Sequence, residues 1–267
     1  MRFHRISGFL TAVLAFLAAV ILMGCGSHSS SQLAAVAPAA PLLPAIAASQ
    51  PVLLFNGTGT TSDVSAVEGV LSNLHVGYNT ANSAQIEALS EQQLAGYKLI
   101  IIPGGNSITI GQNLSAAVAA NIRGAVQQYG THYLGICAGA FFGAYSIYNG
   151  VDLTGGVSFN FYADESKGIH IEPVRLSFPS GPPLDVYWQD GPQLSGWGSV
   201  VAKFPDGTPA IVEGQSGKGF VIFTGVHAEA PANWRGSLPF TSSLSADVAY
   251  AGKMVSAALN GTPLPHF

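Results

Sequence analysis

The stretch HYLGICAGAFFGA, His132–Ala144, runs from apolar residues through a knot of small residues around Cys137 and back into apolar residues. Its first part, with the preceding threonine, predicts a buried strand. "AGAFFGAYSIY", residues 138–148, predicts a helix, and this leaves the cysteine on the turn between the two. Glycines at 135 and 139 permit a tight turn and close packing beneath it, as in the strand-to-helix elbow that presents a nucleophilic serine. A sulfur held there is exposed by the turn, and the helix start beyond it favours negative charge and offers backbone N–H groups. Taken alone, G-x-C-x-G fits a small buried residue in a tight turn equally well.

Outward from this turn, strand and helix patterns alternate. "PVLLF" (51–55) is a short buried strand ending at Asn56-Gly57. Asp63 can cap a helix in which Val64, Val67, Leu71 and Leu74 recur at helical spacing. "HVGYNT" follows as a strand and "IEALS" as a short helix, and then "YKLIIIPGG" runs four aliphatics into Pro103-Gly104-Gly105. Residues 115–129 place Val118, Ile122 and Val126 on one helical face, closed by Gly130. Continuous apolar strands between helices imply an α/β fold with a mostly parallel sheet covered on both faces, and sites in such sheets lie beyond the C-terminal strand ends. "PGG" and "GICAG" both fall there. After Gly150 come short, turn-punctuated strands: "VSFNFYADES", "IHIEPVRLSF", "LDVYWQDGP", "SVVAKFPDG", "PAIVEG" and "KGFVIFTG". These are added antiparallel strands, with "EGQSGKG" as a hairpin loop, and a last helix spans about 244–259.

Hydrophobic residues make up 48% of the 267 residues and charged residues only 9%, which suits a compact globular domain rather than a disordered chain. The net charge is −4 and no basic cluster follows Arg5, so nucleic acid is not expected as a partner. The N-terminus has the form of an export signal. Arg2, His4 and Arg5 precede an apolar run of 16 residues, short against the ~20 that span a bilayer. The run stops at "LMGCGS", which resembles the bacterial lipoprotein processing box, although Met23 stands where a smaller residue is usual. The expected organisation is a lipoprotein signal peptide over 1–24, a Ser/Ala/Pro-rich tether over 25–50 beginning at lipidated Cys25, and a single domain over 51–267. The protein would be exported and held to a membrane by the lipid on Cys25. Cys137 is then the lone thiol of the domain, so a disulfide within the domain is impossible.

Thiol catalysis needs a thiolate, a base and donors for the oxyanion. "FTGVHAEA" puts His227 just past the strand "FVIF", with Glu229 two residues on and pointing the same way to orient the imidazole. Cys137, His227 and Glu229 would form a triad. "IHIEP" offers a second pair, His170 and Glu172, but the flanking Ile169 and Ile171 predict that this pair lies on the solvent face of a strand. "PGGNS" is the candidate oxyanion loop, so Gly104 and Asn106, together with Gly135 of the elbow, are expected around the substrate cleft. No His or Cys cluster has metal-ligand spacing and there is no phosphate loop, so neither metal nor cofactor is expected.

In this order, "IIIPGG", "YLGICAGAFF", "VYWQDGP" and "TGVHAE" resemble class I glutamine amidotransferase-like proteins, a flavodoxin-like fold. The likeness is greatest to the N-terminal domain of biotin-protein ligases, which also occurs alone in bacteria. The resemblance implies Cys137 as nucleophile, His227 as base, Glu229 as its orienter, and the backbone at Gly105 and Ala138 as the oxyanion hole. Ala138 follows the cysteine where the related protease-like branch commonly has histidine, and Asn106 stands where the ligase-like family tends to have a charge. Nothing resembles the biotin-adenylate loop of a ligase catalytic domain, so biotin ligation is not expected. Two functions follow: a thiol-dependent amidase or amidotransferase-like hydrolase acting on a small amide outside the cytoplasm, or a ligand-binding or regulatory module of this fold without turnover.

Overall fold

The computed structural model describes residues 50–60 and 63–267. The expected signal peptide, Cys25 and all but the last residue of the tether lie outside the described residues. The described residues form eleven strands: β1 Val52–Phe55, β2 Tyr78–Ala81, β3 Leu99–Ile102, β4 His132–Ile136, β5 Asn160–Phe161, β6 Ile171–Leu176, β7 Leu184–Gln189, β8 Pro192–Gln193, β9 Ser199–Lys203, β10 Pro209–Ser216 and β11 Gly219–Thr224. The helices are α1 Asp63–Asn73, α2 Ser83–Glu87, α3 Glu91–Leu94, α4 Ser107–Gln112, α5 Ala116–Gly124, α6 Ala138–Gly143, α7 Ala232–Arg235 and α8 Leu244–Asn260.

Successive side chains of a strand point to opposite faces, so a strand apolar at every position needs cover on both sides. Val52 and Leu54 of β1, with Leu99 and Ile101 of β3, join Val67 and Leu71 of α1 and Met254 and Val255 of α8 in one core. Leu53, Phe55, Ile100 and Ile102 face the other way into a second core with Val118 and Ile122 of α5 and Phe142 of α6. The main sheet has the order β2-β1-β3-β4-β11-β10-β9. Its first five strands are parallel, and β10 and β9 are antiparallel additions in the C-terminal half. Two further two-stranded sheets, β5-β8 and β6-β7, are antiparallel. The hairpin expected at "EGQSGKG" joins β10 to β11 with Ser216 opposite Gly219 and Gly217 at φ 60°.

Several local expectations shift. The short helix expected at "IEALS" begins earlier, because Asn82 and Gln85 form a capping box, and Ser90 with Gln93 starts α3 in the same way. The last turn of the helix expected over 115–129 is a π-turn, Ala125–Tyr129, closed by Gly130 at φ 89°. The helix after the cysteine stops at Gly143 instead of running to 148. Residues 151–153 return alongside it, and their N–H groups bond the carbonyls of Phe142, Ala144 and Gly143, which ends the ladder. Of the pair expected on the solvent face at "IHIEP", His170 is exposed as expected and Glu172 is not. Val174 and Leu176 of β6 are buried, so Glu172, of the same parity, turns inward, while Ile169 and Ile171 are exposed. Among the described residues no helix is long and apolar enough to cross a membrane.

Candidate active site

In a parallel sheet the loops leaving the C-terminal strand ends converge at one edge, and a cleft opens where the strand order reverses. Here β1 leads outward to β2 on one side while β3 lies on its other side. Asp63 opens α1 after β1, Gly104 and Gly105 follow β3, Cys137 follows β4, and His227 follows β11. Residues distant in the chain therefore meet at this edge.

Cys137 has φ 49° and ψ −104°, a strained backbone for a side-chain-bearing residue, and it sits directly before the first residue of α6. Its N–H donates to the Thr224 carbonyl at 2.8 Å, which ties the elbow to the end of β11. The two neighbouring glycines are needed for space. A Cβ at Gly139 would lie 1.9 Å from the Ile102 carbonyl oxygen, and one at Gly135 would lie 2.5 Å from the Gly139 oxygen. Gly135 is thus part of the packing beneath the elbow and does not border the cavities beside Cys137, contrary to its expected place around the cleft.

The Cys137 sulfur and the buried imidazole of His227 border the same cavity. On its other side, His227 Nδ1 lies 2.8 Å from Glu229 Oε1, so Nδ1–H donates to the carboxylate and Nε2 is left for the sulfur. Asp63 Oδ1 is 3.2 Å from the same nitrogen. Burial pulls the imidazole pKa down, but the charges of Glu229 and of an ionised Cys137 sulfur act against it, and Glu229 adds a hydrogen bond. The net result holds His227 well above its ordinary value of 6.5. An imidazole kept protonated beside a sulfur can stabilise a thiolate and later donate its proton to a leaving amine.

Asp63, expected only as a helix cap, is a residue that sequence reasoning missed. Its signal was position: it stands just past β1, at the same sheet edge as the elbow. It also explains Gly104. A Cβ there would lie 2.1 Å from Asp63 Oδ1 and 2.6 Å from His227 Cε1, so Gly104 makes room for the pair and does not border the cleft as expected. Asp63, His227 and Glu229 are also the described group that could hold a metal ion, with ligand atoms within 4.8 Å of one another. A cation there would take Nδ1 away from its bond to Glu229. One oxygen of Glu229, Oε2, is buried without a hydrogen-bond partner among the described residues.

The "VYWQDGP" segment closes the site from the other side. The Tyr187 carbonyl accepts the His227 N–H at 2.8 Å, and the Gln189 carbonyl accepts from the Cys137 thiol at 3.6 Å. Asp190, at φ 46°, bonds His170 Nδ1 at 2.8 Å. His170 therefore pairs with Asp190 rather than with Glu172, and it stands at the mouth of the site rather than beside the sulfur as a second base.

A cavity of about 230 Å³ is bordered by Asp63, Gly105, Asn106, Cys137, Gln189 and His227. A second, about 250 Å³, shares Gly105, Asn106 and Cys137 and adds Ala138. Gly105, at φ 137°, takes a conformation that suits glycine, and a Cβ there would lie 2.0 Å from the Gly59 oxygen. Gly105 and Ala138 thus flank the sulfur where oxyanion donors would stand, and Ala138 opens a helix whose first N–H groups have no acceptor within it. The Asn106 side chain accepts from Thr109 N at 2.9 Å and so caps α4 while also bordering both cavities.

Comparison with known proteins agrees with this architecture. Residues 50–173 match the family model "Biotin-protein ligase, N terminal". Among solved structures, a glutamine amidotransferase is similar at TM-score 0.51 and 20% identity, over 66% of this chain and 90% of that one. PurLQS from Thermotoga maritima is similar at TM-score 0.51 and 16% identity, over 78% of this chain and 99% of that one. A putative GMP synthase protein from Thermoplasma acidophilum follows at TM-score 0.52 and 12% identity, over 79% and 96%. At these identities the likeness is one of fold. No curated protein matches the chain in sequence.

Proposed function

From the class I glutamine amidotransferase-like fold and the biotin-protein ligase N-terminal match over residues 50–173, we propose that the protein is a thiol-dependent amidase acting on a small amide. The observation that carries this reading is the grouping of Cys137 and His227 on one cavity at the C-terminal edge of the sheet, with His227 held by a 2.8 Å bond to Glu229. The Cys137 sulfur attacks the amide carbonyl and forms a C–S bond, and the oxyanion is received by backbone N–H groups at Gly105 and Ala138. The C–N bond then breaks, and the amine leaves with a proton from His227. Water, deprotonated by His227, hydrolyses the thioester to a carboxylic acid and restores the thiol. Glu229, and Asp63 beside it, hold the imidazole in place and balance its charge.

The signal-like N-terminus and Cys25 support an address outside the cytoplasm, with the domain tethered to a membrane by lipid. Such a location fits a self-contained hydrolase better than a glutaminase that feeds ammonia to a partner. The test is release of amine or ammonia from a panel of small amides, glutamine included, by the wild-type chain and by Cys137→Ala. The proposal expects turnover on at least one amide that is lost in the variant. Labelling of Cys137 by an electrophile with no turnover on any amide would instead support a binding module.

A further inference from the structure

The relay occupies one end of a longer depression. The cavity that contains Cys137 shares Ser107, Ile108, Phe141 and Phe161 with a neighbouring groove of about 310 Å³ that continues past Tyr145 and Ile147. Large apolar side chains are costly to leave in water, at roughly 25 cal/mol per Å², and a contiguous exposed apolar patch marks a binding surface. Of the exposed large hydrophobic residues, Ile108, Tyr145, Ile147 and Phe161 all border this one groove. Phe141 and Phe161 meet edge to face with centroids 5.1 Å apart, which forms a waist between the sulfur and the groove.

The walls are preformed. A Cβ at Gly111 would lie 1.7 Å from the Tyr148 oxygen, so α4 is packed directly on the 145–150 turn. Asn149 Nδ2 bonds the carbonyls of Gly111 at 3.1 Å and Leu114 at 2.9 Å, locking that turn to the end of α4. A rigid apolar channel loses little freedom on filling, as suits a ligand site.

Charge points the same way. Glu165 and Asp190 border the cavity beside Cys137, and among the described residues no lysine or arginine borders either space. His170 is already bonded to Asp190. The free carboxylate of glutamine would therefore meet two acids and no fixed cation, an unfavourable pairing in a site partly shielded from water.

Resting on the amidase reading of this site, we infer that its substrates are amides bearing a bulky apolar group near the scissile carbonyl and no free carboxylate, with that group seated between Phe161 and Ile108. Carboxylated amides such as glutamine are disfavoured.

Alkylation of Cys137 in the full chain tests this without a known substrate. Three probes are compared: iodoacetamide, N-benzyl iodoacetamide and iodoacetate, each rate divided by the probe's rate with free cysteine. The inference expects the benzyl probe to react about tenfold faster than iodoacetamide, and iodoacetate about tenfold slower. Phe161→Ser and Ile108→Ser, both at exposed positions, should each cut the benzyl preference, and Glu165→Gln should raise the relative iodoacetate rate. Equal normalised rates for the three probes, or a benzyl preference that survives both serine variants, would overturn it. The amidase reading fails separately, if His227→Gln leaves the iodoacetamide rate unchanged.

Discussion

At the scale of single residues, the site depends on missing side chains as much as on those present. Gly104 lies where any Cβ would press on Asp63 and His227, and Gly139 lies where a Cβ would meet the Ile102 carbonyl. Gly104→Ala should therefore cost about 1–3 kcal/mol of stability from overpacking and slow Cys137 alkylation at least tenfold by displacing the imidazole. Denaturant unfolding and mass-spectrometric labelling check the two effects, and an unchanged labelling rate would mean that Asp63 and His227 relax without consequence. Much of this site was legible. Cys137, His227 and Glu229 carry a local signature, a glycine-flanked turn and a His-x-Glu past a strand, and the fold brings them together. Asp63 was not legible as a site residue, because an acid at a helix start is already explained by the helix. Only the meeting of the loops after β1 and β11 gives it a second partner.

At the scale of elements, the parallel core was readable because its strands are apolar at every position, a pattern that only a sheet covered on both faces requires. The antiparallel half was less so. "IHIEP" alternates cleanly, but its register depends on the pairing of β6 with β7 in a two-stranded sheet, and this turns Glu172 inward. There, burial and then the hydrogen bond and charge of Asp164 push the Glu172 pKa up to about 7 from 4.5. For Asp164, burial likewise pushes the pKa up, but bonds from Lys167 and Glu172 outweigh it and hold it below its ordinary value. The pair shares a proton that links the 162–167 segment to β6. Because the folded state keeps a proton that the unfolded chain releases, this contact's contribution is present below about pH 4.5 and is lost as pH rises through about 7. Glu172→Gln, a mimic of the protonated form, should remove that pH dependence and stabilise the protein above pH 7 by about 1 kcal/mol, since the half-buried pair is partly screened. Thermal unfolding of both proteins between pH 4 and 8 would show whether the curves diverge above neutrality as expected or run parallel, which would contradict the shared proton.

At the scale of the whole molecule, the N-terminal segment and the catalytic edge make separate claims. Cys25→Ser should leave the domain folded but shift the protein from the membrane fraction to the soluble one in a bacterial host, read by fractionation and by loss of incorporated labelled palmitate. Unchanged partition and labelling would remove lipid anchoring from the account. The central claim is the relay itself, in which residues ninety positions apart (137 and 227) act as one unit across the sheet edge. It is tested most directly by the rate of Cys137 alkylation with iodoacetamide as a function of pH, in the wild-type chain and in His227→Gln. The account predicts a wild-type rate at pH 6.5 at least tenfold above that of the variant, with the two converging at alkaline pH as His227 loses its proton. Superimposable profiles would show a sulfur that works without its imidazole, and the relay would not exist.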